Sequence, residues 1–311
     1  MKTKKPNYLN NKDLLAEIHK SKLTYCKFFE ENCEDYDIIV DVPRAESRGK
    51  KVEILDPRSE EYVEYVELRR SECLDPTLIA EAKVNKANKL SKLRYLEAVA
   101  DVEIVKPLRK NYIVSPDDIK SEDLVIRFHT FEQVPLLPIE NLKKKPVTET
   151  DYREKICFVP FLHYKLVLDE QENAVGLREV GRSHVNDQLE FDNDIGQITP
   201  KLAKMFVLLA EKYGQKHNWR GYTYVDDMKG NALLQLSSTG LQFNEARSDN
   251  PFAYLTTTLR NAFLRVLQAE KKEQDIRDDL IEKSGKTPSS TRQLEHEETV
   301  RLERERFNGE E

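Results

Sequence analysis

Long apolar runs are missing from this chain. The longest, such as Met205 to Ala210, fall far short of the roughly 20 apolar residues that cross a bilayer, so no membrane span is expected. The basic opening, Met1 to Lys5, has no apolar stretch behind it, so no secretory leader is expected and the cytoplasm is the expected compartment. Cysteine is sparse: Cys26, Cys33, Cys73 and Cys157 form no C-x-x-C pair. Reduced, buried thiols are expected, a zinc site with His129 or His163 being the alternative. There is no glycine-rich phosphate loop, no nucleophile elbow and no pair of metal-binding carboxylates in helical register. No covalent chemistry and no cofactor are implied. Excess positive charge is also absent. A net charge of −6 excludes a protein that coats DNA by charge alone. It leaves open a factor that meets DNA only when docked on a larger enzyme.

The 39% hydrophobic content supports a buried core, and 34% charged residues supply a well-solvated surface. A length of 311 residues suggests two domains. Asn11 is a candidate cap for a helix over 12–22, with Leu14, Leu15 and Ile18 on its apolar side. Residues 24–190 have another texture. Asp37–Val42, Val102–Val105, Tyr112–Val114 and Leu124–Phe128 read as strands, and Pro43–Lys51 as a loop. Tyr62–Arg70 fits strand or helix. Pro76 leads into a helix reaching Val99. Cys157–Leu168 and Ala174–Val180 read as a hairpin around an Asp169–Asn173 turn. Lys143-Lys144-Lys145 lies in a proline-marked loop and reads as solvated charge.

From Asp192 the pattern returns to helical spacing. Thr199 and Pro200 start a helix with Leu202, Met205, Phe206, Leu209 and Tyr213 inward. Thr223 caps a second, which has Val225, Met228, Ala232 and Leu236 on its apolar face and Gly240 at its end. Asn250-Pro251 opens a third. Its apolar stripe is Phe252, Leu255, Leu259, Phe263, Val266 and Leu267. Its opposite stripe is Tyr254, Thr257, Thr258, Asn261, Arg265, Gln268 and Lys272, with no acidic residue among them. An aromatic ring, hydroxyls, amides and cations in a line are groups that touch bases and phosphates. A solvated polar face is the plain alternative.

The ordered series Asp227-Met228, Leu236, Phe243, Tyr254, Thr256, Leu259-Arg260-Asn261-Ala262 and Arg265 resembles the second conserved region of bacterial sigma factors, without a gap from Asp227 to Leu267. The opening Asn7-Tyr8-Leu9-Asn10-Asn11-Lys12-Asp13-Leu14-Leu15 resembles the late-gene sigma factors of T-even-type bacteriophages. The resemblance covers 7–18 and about 197–275 and skips the middle. It implies that Asp227, Met228, Asn231 and Leu234 dock on the clamp helices of the host RNA polymerase core. It implies that Tyr254 takes a flipped adenine of an A·T-rich minus-ten element. Thr257 and Thr258 stand where the primary family has two tryptophans. The resemblance implies that Asn261 and Arg265 face the upstream edge of the element, with Asn261 bonding a base edge and Arg260, Arg265 and Lys272 holding phosphates; Gln268 of the polar stripe is a further candidate DNA contact. The family's Gly-Asn pair falls on Ala232 and Leu233, with Gly230-Asn231 two residues earlier.

The expected fold is therefore mainly α, a sigma-region-two-like helical bundle with a large inserted α+β domain. Residues 1–23 supply a bundle helix, 24–190 the insert, 191–285 the bundle and 286–311 a charged mobile tail. No helix-turn-helix is expected after Ile281. The resemblance further implies a phage sliding clamp and a coactivator as partners, with Leu302, Phe307, Glu310 and Glu311 as a loose clamp-binding motif. The expected role is that of a sigma factor in the cytoplasm of an infected bacterium, not an enzyme. The alternatives are a helical nucleic-acid-binding or scaffold protein, and an enzyme with its site in 24–190.

Overall fold

A computed structural model describes residues 9–42, 55–100, 109–142 and 148–308. The loop expected at Pro43–Lys51, the Val102–Val105 strand and the Lys143–Lys145 run lie wholly outside these residues. So do Asn7, Tyr8, Glu310 and Glu311. The chain divides into two compact units: Met1–Ala203 with Thr239–Pro251, and Lys204–Ser238 with Phe252–Glu311.

The first unit is built on a five-stranded mixed sheet in the order β1-β5-β4-β3-β2. Its strands are β1 (Cys26–Phe28), β2 (Ile38–Val40), β3 (Val125–His129), β4 (Phe161–Leu168) and β5 (Ala174–Ser183). Only the β2–β3 pairing is parallel. Among the described residues this unit holds α1 (Asn11–Leu23), α2 (Glu60–Glu72) and α3 (Pro76–Ala100), with the first turn of a helix that starts at Pro200. One sheet face carries Ile38, Val40, Ile126, Phe128, Leu162, Tyr164 and Leu166, which join Ala82 and Ala87 of α3 in a single core. Alternation along β3 sends Arg127 and His129 to the other face. That face is buried as well, so the strand carries two charged or polar side chains into the interior.

The mainly α expectation is overturned. Of the described residues 56% are helical and 12% are in strands or bridges, and a five-stranded sheet organises the larger unit. Short, separated strands hide this in the sequence, because their pairing is non-local. The Tyr112–Val114 strand is not formed; Arg109–Tyr112 is a 3-10 turn, and Val114 N donates to Ser91 Oγ of α3. Tyr62–Arg70 is helical, within α2. Asn10, not Asn11, caps α1, its Oδ1 accepting from Lys12 N.

Across the expected insert the two chain ends meet. Gln197 N donates to Thr24 Oγ1 at 2.9 Å, and Thr199 N donates to Ser21 Oγ at 3.0 Å. Gly196 lies at this neck, where an added Cβ would run into the Tyr25 ring.

The second unit is helical. It takes α4 (Pro200–Gly214) from Lys204 onward, most of α5 (Val225–Thr239), α6 (Pro251–Lys283) from Phe252, and α7 (Ser290–Asn308). Phe206, Leu209, Met228, Ala232, Leu236, Leu255, Leu259 and Phe263 are buried, as the helical spacing predicts. Phe263 lies 5.0 Å from Tyr213 and 5.2 Å from Trp219 between ring centroids. Helix α6 runs 33 residues and ends at a left-handed Gly285 (φ 74°), with Lys286 N returning to Ile281 O. Residues expected to form a mobile tail are helical over Ser290–Asn308. Ser289 binds back to Asp278 of α6 through its N–H and its hydroxyl, and Arg292 bonds Asp279.

Candidate nucleic-acid interface

The polar stripe of α6 exists because the apolar positions are drawn inward. Leu255, Leu259 and Phe263 are fully buried, and helical period then turns Thr257, Asn261, Arg265, Gln268 and Lys272 to solvent. Arg260 is exposed too, while Tyr254 and Thr258 are half-buried. At about 1.5 Å per residue, Tyr254 to Lys272 spans about 27 Å, the length of about eight base-pair steps.

The cations on this stripe differ from several arginines elsewhere in the described residues. Arg70, Arg153, Arg182 and Arg292 are each ion-paired. Among the described residues no carboxylate pairs with Arg260, Arg265 or Lys272. Their charge is available to an external anion. The threonines are less available. Thr257 Oγ1 donates to Ala253 O at 2.9 Å and Thr258 Oγ1 to Tyr254 O at 3.2 Å. With their protons held by the helix backbone, these hydroxyls present mainly acceptor lone pairs, which phosphates repel. Phosphate contact would therefore fall to the arginines, Lys272 and the two amides.

The docking candidates on α5 separate. Asp227 is exposed and Leu234 is 69% exposed, an unusual state for a leucine in a packed helix. Asn231 is half-buried, and its Oδ1 has no hydrogen-bond partner. Met228 is fully buried, so it belongs to the interior of the helical unit and not to an open docking face.

Sequence reasoning missed a second constellation, in the first unit, around the segment Phe243–Arg247 that precedes α6. Lys22 Nζ donates to Phe243 O at 2.7 Å and lies 3.3 Å from Glu245 Oε2. Arg127 Nη1 meets the same oxygen at 3.2 Å, both side chains being buried. The Arg127 guanidinium lies 4.0 Å and 3.9 Å from the ring centroids of Tyr36 and Phe161. Its Nε donates to His163 Nε2, so the proton of this histidine sits on Nδ1, which faces Cys33 O. Burial, reinforced by Arg127, holds His163 neutral, well below its ordinary pKa. Burial alone would raise the Glu245 pKa; Lys22 and Arg127 outweigh it and keep the carboxyl ionised. Two residues on, Arg247 Nε donates to Asp41 Oδ2 at 2.6 Å and its Nη2 to Val42 O. Asn244 Nδ2 and His129 Nδ1 contact Asp41 Oδ1 at 3.0 and 2.7 Å. Against the pull of burial, the bonds from His129, Asn244 and Arg247 hold Asp41 far below the usual carboxylate range. The available sequence signal was one arginine inside the otherwise apolar run Leu124–Phe128.

Neither histidine is placed for zinc, since His163 and His129 are bound as above. Among the described residues no group of three or more His, Cys, Asp or Glu gathers in metal-binding positions. The four cysteines are free, and burial pushes the Cys26 and Cys73 thiols up to about 12, away from nucleophilic reactivity. A groove of ≈ 600 Å³ near Phe131, Leu137, Phe158 and Val159 contains Arg153. That arginine is already engaged by Glu149, Tyr62 and Val134 O. No described helix is long and apolar enough to cross a membrane.

No family model, curated protein or solved structure matches the chain.

Proposed function

We propose that this protein is a promoter-specificity factor of the sigma type, which recruits a bacterial-type RNA polymerase to A·T-rich minus-ten elements and assists strand opening. The observation that carries this reading is the acid-free stripe of α6, with its unpaired Arg260, Arg265 and Lys272, lying within the sigma-like series Asp227–Leu267. A flipped base loses its stacking partners at a cost of a few kcal/mol, so the factor must receive it on a surface. Tyr254 supplies one ring, worth about 1–3 kcal/mol per stacked base. Threonines at 257 and 258 supply no further stacking, so opening is expected to depend on A·T-rich, easily melted DNA. Asp227, Asn231 and Leu234 form the proposed docking face for the polymerase clamp helices. A sliding clamp and a coactivator remain proposed partners, and the bacterial cytoplasm the proposed location.

The test is run-off transcription by bacterial core polymerase on a supercoiled A·T-rich promoter, with and without the protein. Promoter-specific transcripts that require the protein support the reading. Core enzyme that gains neither promoter specificity nor a bound copy of the protein refutes it. Asp227→Lys combined with Leu234→Glu should abolish co-purification with core enzyme while circular dichroism stays unchanged.

A further inference from the structure

We infer that the sheet unit is a clamp on the segment Phe243–Arg247, and that Asp41 and Arg127 are positioning residues for promoter opening. This inference rests on the sigma-type reading. The segment is the covalent lead-in to α6: only Ser248, Asp249 and Asn250 separate Arg247 from Pro251. It contains no regular strand or long helix of its own. Its geometry is instead imposed by side chains far away in sequence. Lys22 takes the carbonyl of Phe243 and, with Arg127, the carboxylate of Glu245. Asp41 takes the amide of Asn244 and the guanidinium of Arg247, and Val42 O takes a second N–H of Arg247. All four of these residues, Lys22, Asp41, Val42 and Arg127, lie in the segment that the sigma resemblance skips. The skipped segment thus reaches back onto the sigma-like one at Phe243, Asn244, Glu245 and Arg247, four of five successive positions just before α6.

The two contact sets differ in what they hold. The Arg127–Glu245 pair is sealed from solvent, so removing either partner strands a buried charge and perturbs folding. The Asp41–Arg247 pair is partly open, at 21% and 40% side-chain exposure, so it can be broken with the fold intact. It is therefore the pair to test. A direct role for Arg247 on phosphate must also be separated from a positioning role. Asp41 makes that separation, because a carboxylate has no attraction for DNA.

The experiment uses the full chain with Asp41→Asn, Arg247→Ala and the double variant. Open complex is read by permanganate on a duplex promoter and on one with a pre-opened bubble. Core binding and amide hydrogen exchange over 244–250 are measured alongside. Asp41→Asn keeps the acceptor for Asn244 and removes the charge that holds Arg247. The expected result is faster exchange over 244–250 in both single variants. Open complex on the duplex template should fall by about tenfold in each, within the usual range of coupling between sites. The double variant should be no worse than either single one. Core binding should hold, and the bubble template should restore most activity. Arg247→Lys should recover part of the loss. Normal opening by Asp41→Asn beside a defect in Arg247→Ala overturns the clamp in favour of direct DNA contact. Faster exchange with unchanged opening also overturns it, leaving the contacts purely structural. If the unaltered protein gives no promoter-specific transcription, the sigma-type reading itself fails; the exchange data then show separately whether the clamp holds the segment.

Discussion

At the residue scale, the interior of the sheet unit holds both answered and unanswered polar groups, and one residue of each kind makes a test. Arg127 is fully buried against Glu245, His163 and two aromatic rings. Arg127→Ala should lower stability by roughly 3–5 kcal/mol, measured by urea unfolding, because Glu245 loses one of two cations and the rings lose their contact. His184 is the opposite case. It is buried with φ 56°, its ring centroid is 4.2 Å from that of Phe158, and its Nε2 has no partner. Burial, then the nearby Lys22 charge, lowers its pKa from 6.5 to about 4. A depressed value means that the stabilising contribution is full above the unfolded pKa and is lost as pH falls through this window. Between pH 6.5 and about 4 the unfolded chain binds a proton that the folded chain refuses. Roughly 3 kcal/mol should vanish across that window. Asparagine accepts left-handed backbone, so His184→Asn should fold and show a shallower pH slope, by about one proton. Amide exchange of β5 at several pH values reads the slope, and an unchanged slope assigns the acid sensitivity elsewhere.

At the element scale, α6 does two jobs with one period. Its buried side anchors the helical unit through Phe263, and Phe263→Ala should cost about 3–5 kcal/mol in thermal or urea unfolding. Its open side carries the proposed DNA contacts. Tyr254→Ala should reduce promoter opening by about tenfold with core binding retained, in keeping with the loss of one stacked base. A pre-opened bubble should restore activity; without that rescue, Tyr254 acts on the fold. The far end of α6 is joined to α7 by side chains, not by a large apolar seam. Ile276, Leu280, Leu294 and Leu302 are all at least half exposed. Ser289→Ala removes the cap of α7 and its hydroxyl bond to Asp278, so α7 protection against hydrogen exchange should fall about fivefold.

At the scale of the whole molecule, Thr24, where the expected insert begins, meets Gln197, a few residues past its end. Neighbouring ends are what an inserted domain needs, and the 24–190 insertion stays an expectation to be tested by deletion. The compact units do not follow the same boundary: α1 and Thr239–Pro251 cluster with the sheet. Replacing 24–190 by a short Gly/Ser linker should therefore leave the second unit's helices folded and core binding intact. Promoter opening should suffer, because Asp41 and Arg127 leave with the sheet. Loss of core binding in a soluble, helical product would show that the sheet contributes to docking itself.

Local pattern alone determined α4, α5 and the first part of α6, whereas α7 was expected as a mobile tail. Buried Leu255, Leu259 and Phe263 and exposed Asn261, Arg265 and Lys272 follow from a 3.6-residue period that any helix must obey. The Asn-Pro start of α6 and the hairpin of β4 and β5 were legible for the same reason, since caps and tight turns act between near neighbours. The sheet order was not legible. β1 pairs with β5 across more than 150 residues and β2 lies parallel to β3, and strands of three residues carry too little pattern to name a partner. Met228 shows two readings in conflict: helical spacing put it on the apolar face, where it is buried, while the resemblance implied a docking role. The pairing of Arg127, Asp41, Glu245 and Arg247 was not legible. Each is an ordinary charged residue in its own neighbourhood of the sequence. Only the fold brings them within 2.6 to 3.3 Å of their partners, in an interior where low dielectric makes pairing obligatory.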